Sequence, residues 1–270
     1  MQFLELSTIQ WVALVASAFL VGLTKAGFGA GAGILPVPLM AIALGGSEDM
    51  LPVMLPVLIC GDVFSIIHYP KAIEWRNIAM LVPSCIFGVA VGTIPLMRIY
   101  RNKSAQGGVS SVLDLFVGAI CLAFLVVQVW RYFRESRLTE RPEPYRPKVW
   151  HGIVTGIVAG VTSTLAHAAG SLIALFLLPQ KLDKRVFVGT CVMYFFFGNL
   201  VKFAPYAALG LFTTPRVWTA VVILPAVVVG TVAGLVLAKK FSGKAFTLFV
   251  YVCTLAAVLK MLYDALVRYA

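Results

Sequence analysis

Three ionisable side chains, Lys25, Asp62 and Lys202, lie inside long apolar stretches, where a charge needs a reason to be. Lys25 stands in the run Thr24-Lys25-Ala26-Gly27-Phe28-Gly29-Ala30-Gly31-Ala32-Gly33. Glycine at alternate positions removes side-chain bulk and permits positive φ, so an unwound backbone here can approach a ligand closely. A half-helix starting near Gly33 would point its free N–H groups and the positive end of its dipole at that ligand. With Lys25 beside it, the segment describes an anion site in which Gly29, Gly31 and Gly33 bind. Close helix packing by glycine is the plainer alternative.

A second broken stretch, Gly160 to Ser171, supplies Thr162, Ser163, Thr164, His167 and Ser171. Their hydroxyls would donate to the oxygens of the same anion from the opposite side. His167 titrates in the range that suits coupling to protons, and Asp62 is a candidate proton acceptor. Asp62 is equally the natural counter-ion of Lys25 in a buried structural bridge, and Lys25 or Lys202 can also reach the interface along its own stem. Asn199 and Lys202 complete the candidate substrate-binding set. Lys260 lies near a helix end, where reaching the interface is the expected behaviour.

The elements that must position these groups are membrane helices. Hydrophobic residues make up 60% of the 270 positions and charged ones only 12%, a balance typical of an integral membrane protein. Continuous apolar spans near 51–68, 77–98, 112–133, 186–209, 216–239 and 245–268 are each close to the roughly 20 residues that cross hydrocarbon. The stretches 11–45 and 150–179 are longer, with polar, glycine-rich middles. Met1 to Gln10 lacks the basic start of a signal peptide, so the first span is expected to be retained. The net charge of +11 sits mostly in connections between spans and implies no nucleic acid. Cys60, Cys85, Cys121, Cys191 and Cys253 have no metal-ligand spacing and are expected to pack. Neither a metal nor a cofactor is implied.

The two halves match each other. Gly22 and Thr24 correspond to Gly160 and Thr162, Gly61-Asp62 to Gly198-Asn199, and Pro83, Gly88, Gly92 to Pro225, Gly230, Gly234. The last set shares the spacing P-x4-G-x3-G, and an internal duplication follows from the register. Small-xxx-small spacing at Gly88/Gly92, Gly152/Gly156/Gly160 and Gly230/Gly234 suits helix contact.

Charge counting separates two topologies, since cytoplasmic loops collect Lys and Arg. If each broken stretch crosses once, the eight spans leave ten cations inside and nine outside. If each turns back on itself, the inside holds Lys71, Arg76, the six of loop 131–148, Lys181, Lys184, Arg185, Lys239, Lys240 and Lys244, against five outside. The second arrangement predicts an all-α integral membrane protein of two inverted repeats, each a broken re-entrant hairpin plus three spanning helices. Residues 1–133 form the first repeat, 134–148 a basic cytoplasmic linker and 149–270 the second. Inverted repeats around a midplane site are a transporter arrangement.

On Gly27 to Leu39 (GFGAGAGILPVPL), Gly61-Asp62, Ile73 to Arg76, the Pro83/Gly88/Gly92 spacing, Lys184 to Thr190 (KRVFVGT), Asn199 and Lys202, the chain resembles the TauE/SafE sulfite exporter family, also grouped as toluenesulfonate uptake permeases. The resemblance covers most of the chain. Two positions depart from it: Ala32 stands where many members have a third consecutive glycine, and His167 where asparagine is expected. It implies a bacterial inner-membrane carrier for sulfite, sulfoacetate or another small organosulfur anion, with the bilayer and the anion as partners; a homodimer is compatible with it. The competing readings are an anion channel, a carrier of a non-sulfur anion, and an intramembrane hydrolase using Ser171 or Ser163 with His167 or His68.

Overall fold

The computed structural model describes residues 3–27, 35–70, 72–101, 108–137, 145–240 and 243–269. Ten α-helices follow one another among the described residues: α1 (Thr8–Gly27), α2 (Pro36–Ala43), α3 (Ser47–His68), α4 (Trp75–Arg101), α5 (Gly108–Arg137), α6 (Val149–Ala166), α7 (Gly170–Leu177), α8 (Lys184–Ala208), α9 (Thr214–Lys240) and α10 (Gly243–Tyr269). No strand occurs among the described residues. Seven of the helices are long and apolar enough to cross a membrane, and the protein is a multi-pass membrane protein. The order long, short, long, long, long occurs twice.

Each glycine-rich stretch yields one long and one short helix. The expected hairpin therefore has unequal arms: α1, at 20 residues, and α6, at 18, reach about 30 Å and 27 Å, whereas α2 and α7 have 8 residues each. Glycine does not stop α1 before Gly27 because Gly22 lies in a helix contact that holds the backbone in place. α2 turns into α3 through Gly45 (φ 74°) and Gly46 (φ 158°), the first in the left-handed region that only glycine enters without strain.

The helix contacts repeat residue for residue. A Cβ on Gly22 of α1 would strike the Val227 carbonyl and Thr231 N–H of α9; one on Gly160 of α6 would strike the Cys85 carbonyl and Val89 N–H of α4. Gly230 faces the Phe19 carbonyl as Gly88 faces that of Ile157, and Gly234 abuts Leu23 as Gly92 abuts Val161. The offset is 138 residues along α1 and α6 (19/157, 22/160, 23/161) and 142 along α4 and α9 (85/227, 88/230, 89/231, 92/234). One contact is thus built twice, with α1 on α9 and α6 on α4. Without a hydrophobic driving force between helices in lipid, such backbone approach through small residues supplies the packing. Gly230→Val is expected to cost about 2–3 kcal/mol, or roughly 5–10 °C of Tm in detergent. Gly88→Val should match it, since it meets the equivalent carbonyl.

Hydrogen bonds at the helix ends show where the broken stretches lead. After α7, a 3-10 turn ends at Gln180; the Pro179 carbonyl accepts from the Tyr145 N–H at 3.0 Å, and Gln180 Oε1 accepts from Asn77 Nδ2 at 2.8 Å. Tyr145 precedes α6 and Asn77 begins α4, so the α6–α7 stretch returns to the face it left. At the start of α9, Thr219 Oγ1 accepts from the Leu4 N–H at 3.2 Å, while Arg216 Nε donates to Asp49 Oδ1 at 2.6 Å. The α1–α2 stretch therefore also returns to the level where it began. Eight single crossings would separate residues 145 and 179 onto opposite faces, whereas the bond from the Tyr145 N–H to the Pro179 carbonyl holds them together.

In α3, Pro52 and Pro56 lie inside the helix. Pro52 has no N–H for the Glu48 carbonyl four residues back, and the Tyr100 hydroxyl, at the end of α4, donates to it at 3.0 Å instead.

Candidate functional site

Two buried cation clusters meet between α1, α3, α6 and α8. In the first, Lys25 Nζ lies 2.6 Å from Asp62 Oδ1 and donates to the Leu58 carbonyl at 3.0 Å. Asn199 Nδ2 holds the other carboxylate oxygen, Oδ2, at 2.7 Å. The ammonium also stands 5.6 Å from the centre of the Phe195 ring, within cation–π range. Asp62 is fully buried, and its charge is matched by Lys25.

In the second cluster, Lys202 is fully buried on α8. Its ammonium donates to Ser163 Oγ at 2.9 Å and contacts the Ser163 carbonyl at 3.3 Å and His167 Nδ1 at 2.8 Å. His167 Nε2 lies 3.0 Å from the Leu51 carbonyl. A carbonyl can only accept, so Nε2 carries the proton and Nδ1 is the acceptor for Lys202. Every one of these partners of Lys202 is neutral. Burying an ammonium whose hydrogen-bond partners are all neutral is costly.

His167 is positioned by the end of α6. It takes the left-handed conformation, φ 49°, and its N–H donates to the Ser163 carbonyl at 3.0 Å. Histidine is among the non-glycine residues that enter this region more readily. The turn ends α6 and lets α7 start at Gly170, three residues later.

The clusters border a cavity of about 50 Å³ open to the centres of water-sized molecules, room for a few waters. Lys25, Thr24, Ser163, His167, Asn199 and Gly170 form its polar side. Val21, Pro36, Met54, Leu58 and Phe195 form the apolar side. The first residues of the short helices, Pro36 of α2 and Gly170 of α7, both line it, and neither helix has a side-chain cap at its N-terminus. Free N–H groups at the start of α7 favour an anion there; α2 begins Pro36-Val37-Pro38, and its two prolines have no N–H to give.

The expected site residues divide accordingly. Lys25, Ser163, His167 and Asn199 line the cavity; Asp62 and Lys202 stand behind them, bonded to lining residues. Thr162 and Thr164 do not take part: their hydroxyls bond back to the Val158 and Gly160 carbonyls of their own helix, at 3.0 and 2.8 Å. Ser171 Oγ is buried with no hydrogen-bond partner among the described residues and outside the cavity lining. Gly29, Gly31 and Gly33 lie outside the described residues. Both ring nitrogens of His167 are engaged, by Lys202 and the Leu51 carbonyl, so neither is paired with Ser163 or Ser171. Phe195 and the Leu51 and Leu58 carbonyls had no distinguishing signal in the sequence.

Neither the curated proteins nor the solved structures contain a match to the chain. The family described as Sulfite exporter TauE/SafE matches residues 14–261, almost the whole length. The chain belongs to the TauE/SafE sulfite exporter family.

Proposed function

We propose that the protein is a secondary carrier of a small anion, sulfite or an organosulfonate such as sulfoacetate, in a bacterial inner membrane. The observation that carries this reading is the surplus charge of Lys202, buried among neutral partners beside a small cavity that Lys25 and two helix starts also border. Lys25 is matched by Asp62, so the cluster as a whole carries one positive charge in excess. A single negative charge, as on hydrogensulfite, would balance it; the second charge of sulfoacetate would be balanced if Asp62 took up a proton.

In this reading residues 1–133 and 149–270 are inverted repeats interlocked through α1 on α9 and α6 on α4, and movement between these two interlocked units exposes the cavity alternately to each side. The twice-built glycine contact and the return of each broken stretch to its own starting face support it. The face holding Arg76, Arg146 and Lys181 to Arg185 is the cytoplasmic one by its cations, with 134–148 as the linker. Asp62 or His167 handles a proton: a carboxylate released from Lys25 when the anion binds is free to take one.

Radiolabelled sulfite counterflow into proteoliposomes tests the proposal, with sulfate, sulfoacetate and taurine as competitors. Saturable exchange is expected, with sulfoacetate competing better than zwitterionic taurine because the ammonium of taurine would meet the cations Lys25 and Lys202. Flux that never saturates would replace the carrier with a channel. No flux from folded protein would remove these substrates.

A further inference from the structure

A second cavity, far from the first in character, opens on the cationic face. It measures about 230 Å³ by the same standard and is lined by Glu74, Arg76, Asn77, Tyr145, Arg146, Pro147, Gln180 and Leu182. Three elements meet there: the start of α4, the segment before α6 and the 3-10 turn after α7. We propose that this cavity binds the headgroup of an anionic phospholipid, a phosphodiester monoanion with hydroxyl groups of the phosphatidylglycerol type.

Charge and chemistry fix the ligand. Arg76 and Arg146 both line the cavity, and neither guanidinium is ion-paired among the described residues. Planar guanidinium groups match phosphate oxygens in a bidentate way that lysine does not. Glu74 is the one acid on the wall. It reduces the net charge to that of one cation, which suits a singly charged phosphodiester better than a dianion, and it offers an acceptor for a headgroup hydroxyl.

The surroundings fix the source as lipid. Trp75 and Trp150 flank the cavity in the chain and are 60% and 58% exposed. Tryptophan collects at the headgroup level because its ring is apolar on one side and its N–H polar on the other. Exposed Val149, Ile153 and Val154 continue along α6 as apolar surface for acyl chains. Basic pockets between membrane helices on the cytoplasmic side are suited to acidic headgroups. Glu74 is held in place by its N–H, which donates to Thr190 Oγ1 at 2.8 Å, and Asn77 and Gln180 by their mutual bond, so the walls are fixed by the fold.

The consequence is mechanical. A headgroup seated here ties the start of α4 to the turn after α7, the two halves of the chain, and its binding stabilises their closed arrangement at this face.

Native mass spectrometry of the full chain in detergent, with thermal unfolding in parallel, tests this. Phosphatidylglycerol is expected to be retained and protective, phosphatidylcholine not. Arg76→Gln and Arg146→Gln should each weaken retention about fivefold, while Arg101→Gln, an exposed cation at the other end of α4, should leave it unchanged. Equal retention of phosphatidylcholine, or unaltered retention in both arginine variants, would overturn the site. Protection by inorganic phosphate alone, lost in the same variants, would overturn the lipid as its source. Because the readout is binding, it stands or falls apart from the transport proposal.

Discussion

Lys25→Met is expected to destabilise the protein by about 3–5 kcal/mol, and the double variant Lys25→Met/Asp62→Asn to recover most of that loss. Asp62 is fully buried, and one of its oxygens lies 2.6 Å from Lys25. Removing the lysine leaves a carboxylate still held by the Asn199 amide but by no cation bonded to it. Breaking one side of a buried pair costs this much because the remaining charge is unmatched, whereas replacing both sides costs far less. Thermal unfolding in detergent gives the stabilities, and sulfite counterflow on the same samples gives the function. Recovered stability without recovered transport assigns the pair a working role at the cavity that Lys25 lines. Recovered transport in the double variant would make the pair a structural bridge, the plainer reading that its residue types always allowed.

How much of this was legible in the sequence depends on what kind of contact a residue makes. Glycines at helix crossings have nothing to offer but backbone approach, so the spacing of Gly88, Gly160 and Gly230 announced the contacts they make. Charges in apolar runs are as visible, because lipid penalises them: Lys25, Asp62 and Lys202 were singled out on that ground alone. Hydroxyls are not. A helical threonine can spend its hydroxyl on the carbonyl of the preceding turn, as Thr162 and Thr164 do, and nothing in the string Thr162-Ser163-Thr164 distinguishes these from Ser163, which holds Lys202. Carbonyl partners leave no trace in the residue type; Leu51 and Leu58 read as core leucines. The length of α1 was hidden for a related reason, since glycine lowers helix propensity while the packing against α9 restores the helix through Gly22.

Lys202→Met is expected to keep the fold and reduce transport about a hundredfold. The substitution removes a fully buried ammonium that has no carboxylate partner among its hydrogen bonds. Methionine fills similar space without the desolvation cost, which offsets the loss of bonds to Ser163 Oγ and His167 Nδ1, so Tm should move by only a few degrees. The effect on an anion is different. A unit charge two hydrogen-bond lengths away, about 6 Å, contributes about 3 kcal/mol at an effective dielectric of about 20, a factor of about a hundred in affinity. The loss should appear as a raised half-saturation concentration for sulfite, since an attraction felt by the bound ion in its resting complex acts on binding first. Lys202→Arg separates charge from shape: guanidinium keeps the charge but is larger and planar, and the full burial of Lys202 leaves it no room. It should therefore misfold or transport poorly where methionine folds well. Unchanged half-saturation in Lys202→Met would move the site's attraction to Lys25 and the start of α7, and leave Lys202 as a brace between α8 and the turn at His167.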